Sequence, residues 1–249
     1  MSSQKVATGI LGLDKMLGGG FPEGRVILVV GGPGTGKTVF CSQFLHWGTT
    51  NRKEGSVYIS LDENEPQFSR ETLCFGWDFR QLENEGRFVF VDASGVRRTP
   101  EQAKVGRIPV GGKELGLVNL LDMIQTSVEK TKAHRVVLDS ISGLAFRFPG
   151  IVEKRLAVLD IFDGLSNTGA TCLVTSEVRL KGQTRLVQPE EYLAHGVIDL
   201  QTLRNGIRQI QVVKMRETRI DTTPRPYTIT ETGIEIAADE FVYASEREA

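Results

Sequence analysis

The sequence predicts an α/β fold, with a mostly parallel central sheet sandwiched by helices and an antiparallel β extension at the C-terminal end. Three observations carry this. Apolar runs rich in Val, Ile and Phe alternate with helical patterns between residues 26 and 176, the rhythm of crossovers into a parallel sheet covered on both faces. One such run passes through a glycine-rich turn directly into a helix. In the last third, Asn205-Gly206 separates two extended runs, and that dipeptide accepts the positive φ angles of a tight hairpin.

Taken in order, the leader 8–24 reads as a short helix (13–17) ended by glycines, then a turn into the first strand. Val26-Ile27-Leu28-Val29-Val30 is that strand, and residues 39–50 are the helix beyond the turn. Ser56-Val57-Tyr58-Ile59-Ser60-Leu61 is a β-branched and aromatic strand that runs into Asp62-Glu63. A helix over 66–75 opens on Pro66, whose missing N–H has no partner to lose in a first turn. Phe88–Asp92 is the next strand. Residues 94–114 are broken by Gly95, Pro100, Gly106, Pro109, Gly111 and Gly112 and show no period, the signature of a long functional loop. A helix over 115–131 carries the stripe Leu117, Leu120, Leu121 and Ile124. The strand 135–140, the helix 153–167 and the strand 171–176 complete the alternation. Residues 197–203 and 208–215 flank the Asn-Gly turn, and 227–230 with 233–236 form a second short hairpin. All four runs are expected in the antiparallel extension. With no internal repeat, a single domain is expected over 1–236, followed by a short tail, 237–249.

The glycine-rich turn is Gly31-Gly32-Pro33-Gly34-Thr35-Gly36-Lys37-Thr38. It matches G-x-x-x-x-G-K-[ST] in the strand–loop–helix context that the phosphate loop requires. Glycines allow the backbone to turn its N–H groups inward, and those groups, with the positive end of the following helix, cradle a polyphosphate. Gly32, Pro33, Gly34, Thr35, Gly36, Lys37, Thr38 and Val39 are therefore the expected nucleotide-binding residues. Lys37 would reach the β- and γ-phosphates, and Thr38 would ligate Mg²⁺. Asp139 ends an apolar strand, the position from which an acid holds the same metal. Residues 140–142 are Ser-Ile-Ser, so no carboxylate follows Asp139 to activate water. Asp62 and Glu63 are the candidates, because strand carboxyl ends gather at the rim where the phosphates bind. Two adjacent carboxylates also repel, which favours a raised pKa on one of them. Thr175 and Ser176 end another strand at that rim.

Length and charge set bounds. The 249 residues suit one large α/β domain. The net charge of −1 means that nucleic acid would have to be held by local patches. Cys41, Cys74 and Cys172 form no C-x-x-C pair, and two lie in apolar-periodic segments, as reduced buried thiols do. No apolar run approaches a membrane span and no signal-peptide core is evident, so a soluble cytoplasmic protein is expected.

The leader T-G-I-x-G-L-D-x-M-L-G-G-G-F-P-x-G, the phosphate loop, Asp62-Glu63, Phe75-Gly76-Trp77-Asp78, the strand 136–140 and Lys214-Met215-Arg216 together resemble the RecA superfamily in its KaiC-like branch. Single-domain archaeal RadA paralogues are the nearest type. The resemblance runs from about residue 8 to 236. It implies a RecA core with a 5-1-4-3-2 parallel sheet, ATP with Mg²⁺ as ligands, and rings or filaments with ATP between subunits. It also implies that Lys214 and Arg216 reach a neighbour's site; residues two apart on a strand share a face, so both cations can approach one γ-phosphate. The chain departs from the pattern at Asp62, where a Glu is usual, and at Glu217, where a Gly is usual.

A nucleic-acid partner is suggested by charge. Arg97, Arg98, Lys104, Arg107 and Lys113 face one acid, Glu101, within 94–113, and Arg179, Lys181 and Arg185 have none within 179–188. The resemblance places DNA-contacting loops near 142–153 and 178–190. In the first, Phe146-Arg147-Phe148 brackets a cation with aromatics that can stack on bases, or that can simply pack beneath a loop. The expected activity is an ATPase that binds single-stranded DNA and assists recombination or repair. A KaiC-like signalling ATPase or kinase with protein partners is the alternative. Phe241-Val242-Tyr243-Ala244 has the F-x-x-A form by which recombinases dock onto a partner.

Overall fold

The computed structural model describes residues 4–94, 103–105, 108–110, 113–146, 148, 150–181 and 184–241. A short strand, β1 (Lys5–Val6), precedes the helix α1 (Leu13–Met16) and pairs with β2 (Phe21–Pro22). β3 (Val26–Gly31) is buried along its whole length and feeds α2 (Lys37–Trp47), which continues as a π-helical turn over Gly48–Arg52. β4 (Gly55–Ser60), α3 (Glu65–Leu73), α4 (Phe79–Asn84) and β5 (Phe88–Asp92) follow. β6 (Ala103–Val105) and β7 (Ile108–Val110) pair antiparallel where the sequence shows no period. Next come α5 (Lys113–Thr131), β8 (Ala133–Asp139), a 3₁₀ turn (Ile141–Phe146), α6 (Ile151–Asn167) and β9 (Thr171–Glu177). The hairpin β10 (Arg179–Lys181) and β11 (Thr184–Leu186) leads to α7 (Pro189–Leu193). β12 (Gly196–Thr202), β13 (Arg208–Met215), β14 (Arg225–Thr230) and β15 (Gly233–Ile236) end the fold.

Among the described residues the largest sheet has nine strands, in the order β15-β14-β13-β12-β3-β9-β8-β4-β5. The run β12-β3-β9-β8-β4 is the expected 5-1-4-3-2 order, and β5 adds a parallel strand beyond it. One expectation is corrected. The run 197–203, expected in the antiparallel extension, forms β12, which pairs parallel with β3, so the extension is β13, β14 and β15. The physical reason is the connection after β9: α7 carries the chain back along the sheet, and the His195 N–H donates to the Val26 carbonyl at 2.9 Å, so β12 starts where β3 starts. That helix has its own local signal, since it opens on Pro189 and Glu191 Oε1 accepts from the Gln188 N–H at 2.8 Å.

Strands buried on both faces divide their side chains between two layers. Val26, Leu28 and Val30 pack with α5 and α6, while Ile27 and Val29 pack with α1, α2 and the aromatics of α3, α4 and β5. Arg135 is an exception within this core, only 1% exposed. Its guanidinium pairs with Glu54 at 2.5 Å, donates to the carbonyls of Ala7 and Phe44, and lies over the Phe44 ring at 4.4 Å. Gly48 makes the room: a Cβ there would stand 2.0 Å from Arg135 Nε. Gly48→Ala gains up to about 1 kcal/mol of helix propensity, but overpacking and a disturbed buried ion pair together cost about 3–5 kcal/mol. The clash wins. Calorimetry should show a fall of roughly 6–12 °C in Tm for a chain of this size. An unchanged or raised Tm would show that Arg135 swings aside without cost.

Candidate functional site

The phosphate loop is held from below and from the side. Gly36, at φ +86°, caps α2, and a Cβ there would meet Ile229 Cδ1 at 2.8 Å, so glycine is required by both backbone and neighbour. The Thr35 hydroxyl donates to the Gly32 carbonyl at 2.8 Å, and the Tyr227 hydroxyl donates to the Thr35 carbonyl at 2.6 Å. The hairpin of β14 and β15 thus buttresses a loop nearly two hundred residues earlier. Nothing local in the sequence signals that contact.

Lys37 Nζ donates to the carbonyls of Gly31 at 2.8 Å and Gly32 at 3.0 Å. Burial lowers its pKa, opposed by the charges of Asp139 and Glu177. One step on, the Thr38 hydroxyl donates to Asp139 Oδ2 at 2.9 Å. The Tyr58 hydroxyl donates to the same oxygen at 2.6 Å, and the Thr175 hydroxyl donates to Oδ1. Thr38 and Asp139, paired from sequence as metal-holding residues, therefore stand together. The set suits Mg²⁺ in one respect: every donor is a hard oxygen. Among the described residues no group of three His, Cys, Asp or Glu side chains could hold a metal by itself. A cation here would complete its shell with phosphate oxygens and water, as Mg²⁺ does at such loops.

Asp62 and Glu63 leave β4 at the same end of the sheet. Ser60 Oγ accepts from both of their N–H groups, at 3.3 Å and 2.8 Å. The two carboxylates then diverge. Asp62 is exposed, whereas Glu63 is half-buried and its Oε2 is enclosed without a hydrogen-bond partner. Burial, followed by the charges of Glu71, Asp139 and Asp62, lifts the Glu63 pKa to about 7. Repulsion between the adjacent acids is thus the smallest of these causes. Beside Thr38 an apolar pocket of about 270 Å³ opens, with Val39 and Ser42 on one wall and Phe75 and Trp77 on the other; the two rings stack at 4.9 Å.

Other candidates lie elsewhere. Lys214 pairs in register with Val197, and Val197 with Leu28, whereas the phosphate-loop end of β3 is Gly31, opposite Leu200. Lys214 and Arg216 therefore sit toward the opposite end of the strands from their own Lys37. Lys214 Nζ donates to the carbonyls of Glu191, Tyr192 and Ala194, while Arg216 is exposed. Of the nucleic-acid candidates, Arg97, Arg98, Arg107 and Arg147 fall outside the described residues, as do Val242, Tyr243 and Ala244 of the F-x-x-A segment. Arg179 and Lys181 belong to β10. Two are corrected. Phe148 is 8% exposed and packs in the apolar layer. Arg185, with no acid within 179–188, donates to Glu191 Oε2 at 2.8 Å and contacts Asp199 Oδ2 at 3.1 Å; α7 and β12 supply these acids. No helix among the described residues is long and apolar enough to cross a membrane.

A phosphate loop on the first strand of a parallel sheet, facing acids on two further strand tips, defines a P-loop nucleotide-binding protein. The chain belongs to the KaiC family of ATPases, whose model matches residues 6–240. It is 33% identical over 246 residues to a UPF0273 protein of Methanocaldococcus jannaschii, covering 96% of this chain and 98% of that one. A UPF0273 protein of Thermotoga maritima is 33% identical over 243 residues, 95% and 97% of the two chains. The crystal structure of the KaiC-like protein PH0186 from Pyrococcus horikoshii is similar at a TM-score of 0.79 and 32% identity, covering 94% of this chain and 99% of that chain. The RecA-like fold and the KaiC-like ATPase membership expected from the sequence are thus those of its relatives.

Proposed function

We propose that this chain is a Mg²⁺-dependent ATPase that turns over ATP between copies of itself and uses the cycle to act on a partner, single-stranded DNA in recombination or repair. The observation that carries the hydrolytic part is the meeting of Thr38 with Asp139 while Glu63, half-buried and partly proton-bearing near neutrality, stands on the adjacent strand tip. When bound, Mg²⁺ would neutralise phosphate charge. Lys37 exchanges its two carbonyl partners for phosphate oxygens, and the N–H groups at the start of α2 donate to the same anion. The apolar pocket beside Thr38 takes the base against Phe75 and Trp77. Glu63 receives the proton of the attacking water. Lys214 and Arg216 cannot complete this site from within the chain, which supports their acting on a neighbouring copy.

The DNA reading rests on the cations of the loop 94–113 and on Arg179 and Lys181, and is weakened by the burial of Phe148 and the pairing of Arg185. A protein partner is the second reading, favoured by the same two residues. ATP turnover measured with and without single-stranded DNA across a salt series separates them. Stimulation that fades steeply with salt is expected if phosphates are bound, because counterion release makes such binding salt-dependent. Turnover indifferent to DNA at every salt concentration points to protein partners.

A further inference from the structure

We propose that Tyr58 is a positioning residue for Asp139, holding through its phenol the carboxylate that faces Thr38. The inference rests on the ATPase reading above.

Tyr58 lies on β4 in register with Val137, two residues before Asp139 on the neighbouring strand β8. Two residues of strand rise about 6.6 Å, roughly the reach of a tyrosine from Cα to hydroxyl, so the phenol arrives beside the carboxylate at the strand tip. Its ring is 1% exposed and packs against Phe68 and Phe90 at centroid distances of 4.4 Å and 5.7 Å. Every other ring in that layer of α3, α4 and β5 is a phenylalanine or Trp77. A phenylalanine would satisfy the packing equally well, and a buried hydroxyl costs free energy unless it finds a partner. Here the partner is Asp139 Oδ2, at 2.6 Å.

Three hydroxyls converge on this carboxylate: Thr38 and Tyr58 on one oxygen, Thr175 on the other. Thr38 is the one that would turn toward a cation. Tyr58 and Thr175, on strands either side of β8, then remain to fix the plane and rotamer of Asp139. Outer partners of this kind orient a ligand that has few other restraints. The acid is the last residue of β8: its backbone stays paired with Ser60 of β4 and its carbonyl accepts from the Leu61 N–H at 2.7 Å, while its side chain is held by these three hydroxyls.

The test uses the full chain carrying Tyr58→Phe, which keeps the ring, and Thr175→Val, which removes the other donor without touching the aromatic layer; Thr175→Ser is the conservative control. Nucleotide affinity is first measured in EDTA with a non-hydrolysable ATP analogue, and Mn²⁺ is then titrated by electron paramagnetic resonance into the nucleotide-saturated protein. Tyr58→Phe should leave affinity in EDTA and Tm close to wild type and weaken Mn²⁺ by about tenfold. Thr175→Val should behave alike, and Thr175→Ser should keep wild-type Mn²⁺ affinity. Should Tyr58→Phe fold poorly, the Thr175 pair carries the decision through the same titration. Unchanged Mn²⁺ affinity in folded Tyr58→Phe, or equal losses in Thr175→Ser and Thr175→Val, overturns the positioning role while leaving the ATPase reading intact. A wild-type protein that takes up neither nucleotide nor Mn²⁺ overturns both.

Discussion

Lys37→Ala should abolish measurable ATP binding at micromolar nucleotide, an effect of two to three orders of magnitude. Hydrogen bonds to charged groups contribute about 1.5–3 kcal/mol each, and every 1.4 kcal/mol is about tenfold in affinity. Losing two such bonds to phosphate therefore suffices. A second loss adds to it. The ammonium is also what pairs the Gly31 and Gly32 carbonyls in this structure, so alanine leaves the loop without the clamp that holds it open for phosphate. Because the rest of α2 is anchored by Phe40, Phe44 and Leu45 in the core, the fold should survive, with a Tm within a few degrees of wild type. Titration with a fluorescent ATP analogue beside a melting curve checks both halves. Binding retained near wild type would show that the loop amides alone hold the nucleotide, and that Lys37 is not the phosphate anchor.

The sequence was most legible where local pattern and packing agree. Strands β3, β4, β8 and β9 are buried on both faces and read as continuous apolar runs, and the loop between β3 and α2 has fixed spacing because each position meets a phosphate or a turn. It was least legible where a residue's role depends on what arrives from far away. β12 carries the same extended pattern whether it lies parallel or antiparallel, and only the path through α7 decides. Phe148 and Arg185 have the composition of a nucleic-acid loop, yet one is claimed by the core and the other by Glu191 and Asp199. Tyr58 and Tyr227 read as strand residues; their hydroxyls meet the site only through pairing with partners 81 and 192 residues distant. Lys214 and Arg216 both reach the Tyr192 carbonyl, and the register puts them toward the end of the strands away from their own phosphate loop.

Glu63→Gln should spare nucleotide binding and slow turnover by at least about a hundredfold, the lower range for loss of a general base. The pH dependence supplies the sharper check. A base must be deprotonated to act, and the Glu63 pKa is raised to about 7, so kcat/KM, which reports groups of the free enzyme, should rise about tenfold per unit below pH 7 and level off above it. The cause of the shift predicts its behaviour. Burial is the leading contribution, and Coulombic repulsion from Glu71, Asp139 and Asp62 adds to it; salt screens only the second, so the midpoint should move down modestly with ionic strength and stay well above an ordinary carboxylate. In Glu63→Gln the residual rate should lose this limb altogether. Asp62 provides the contrast: it is exposed, without the enclosure that surrounds Glu63. Turnover retained in Glu63→Gln, with the limb near pH 7 gone, would transfer the role to Asp62.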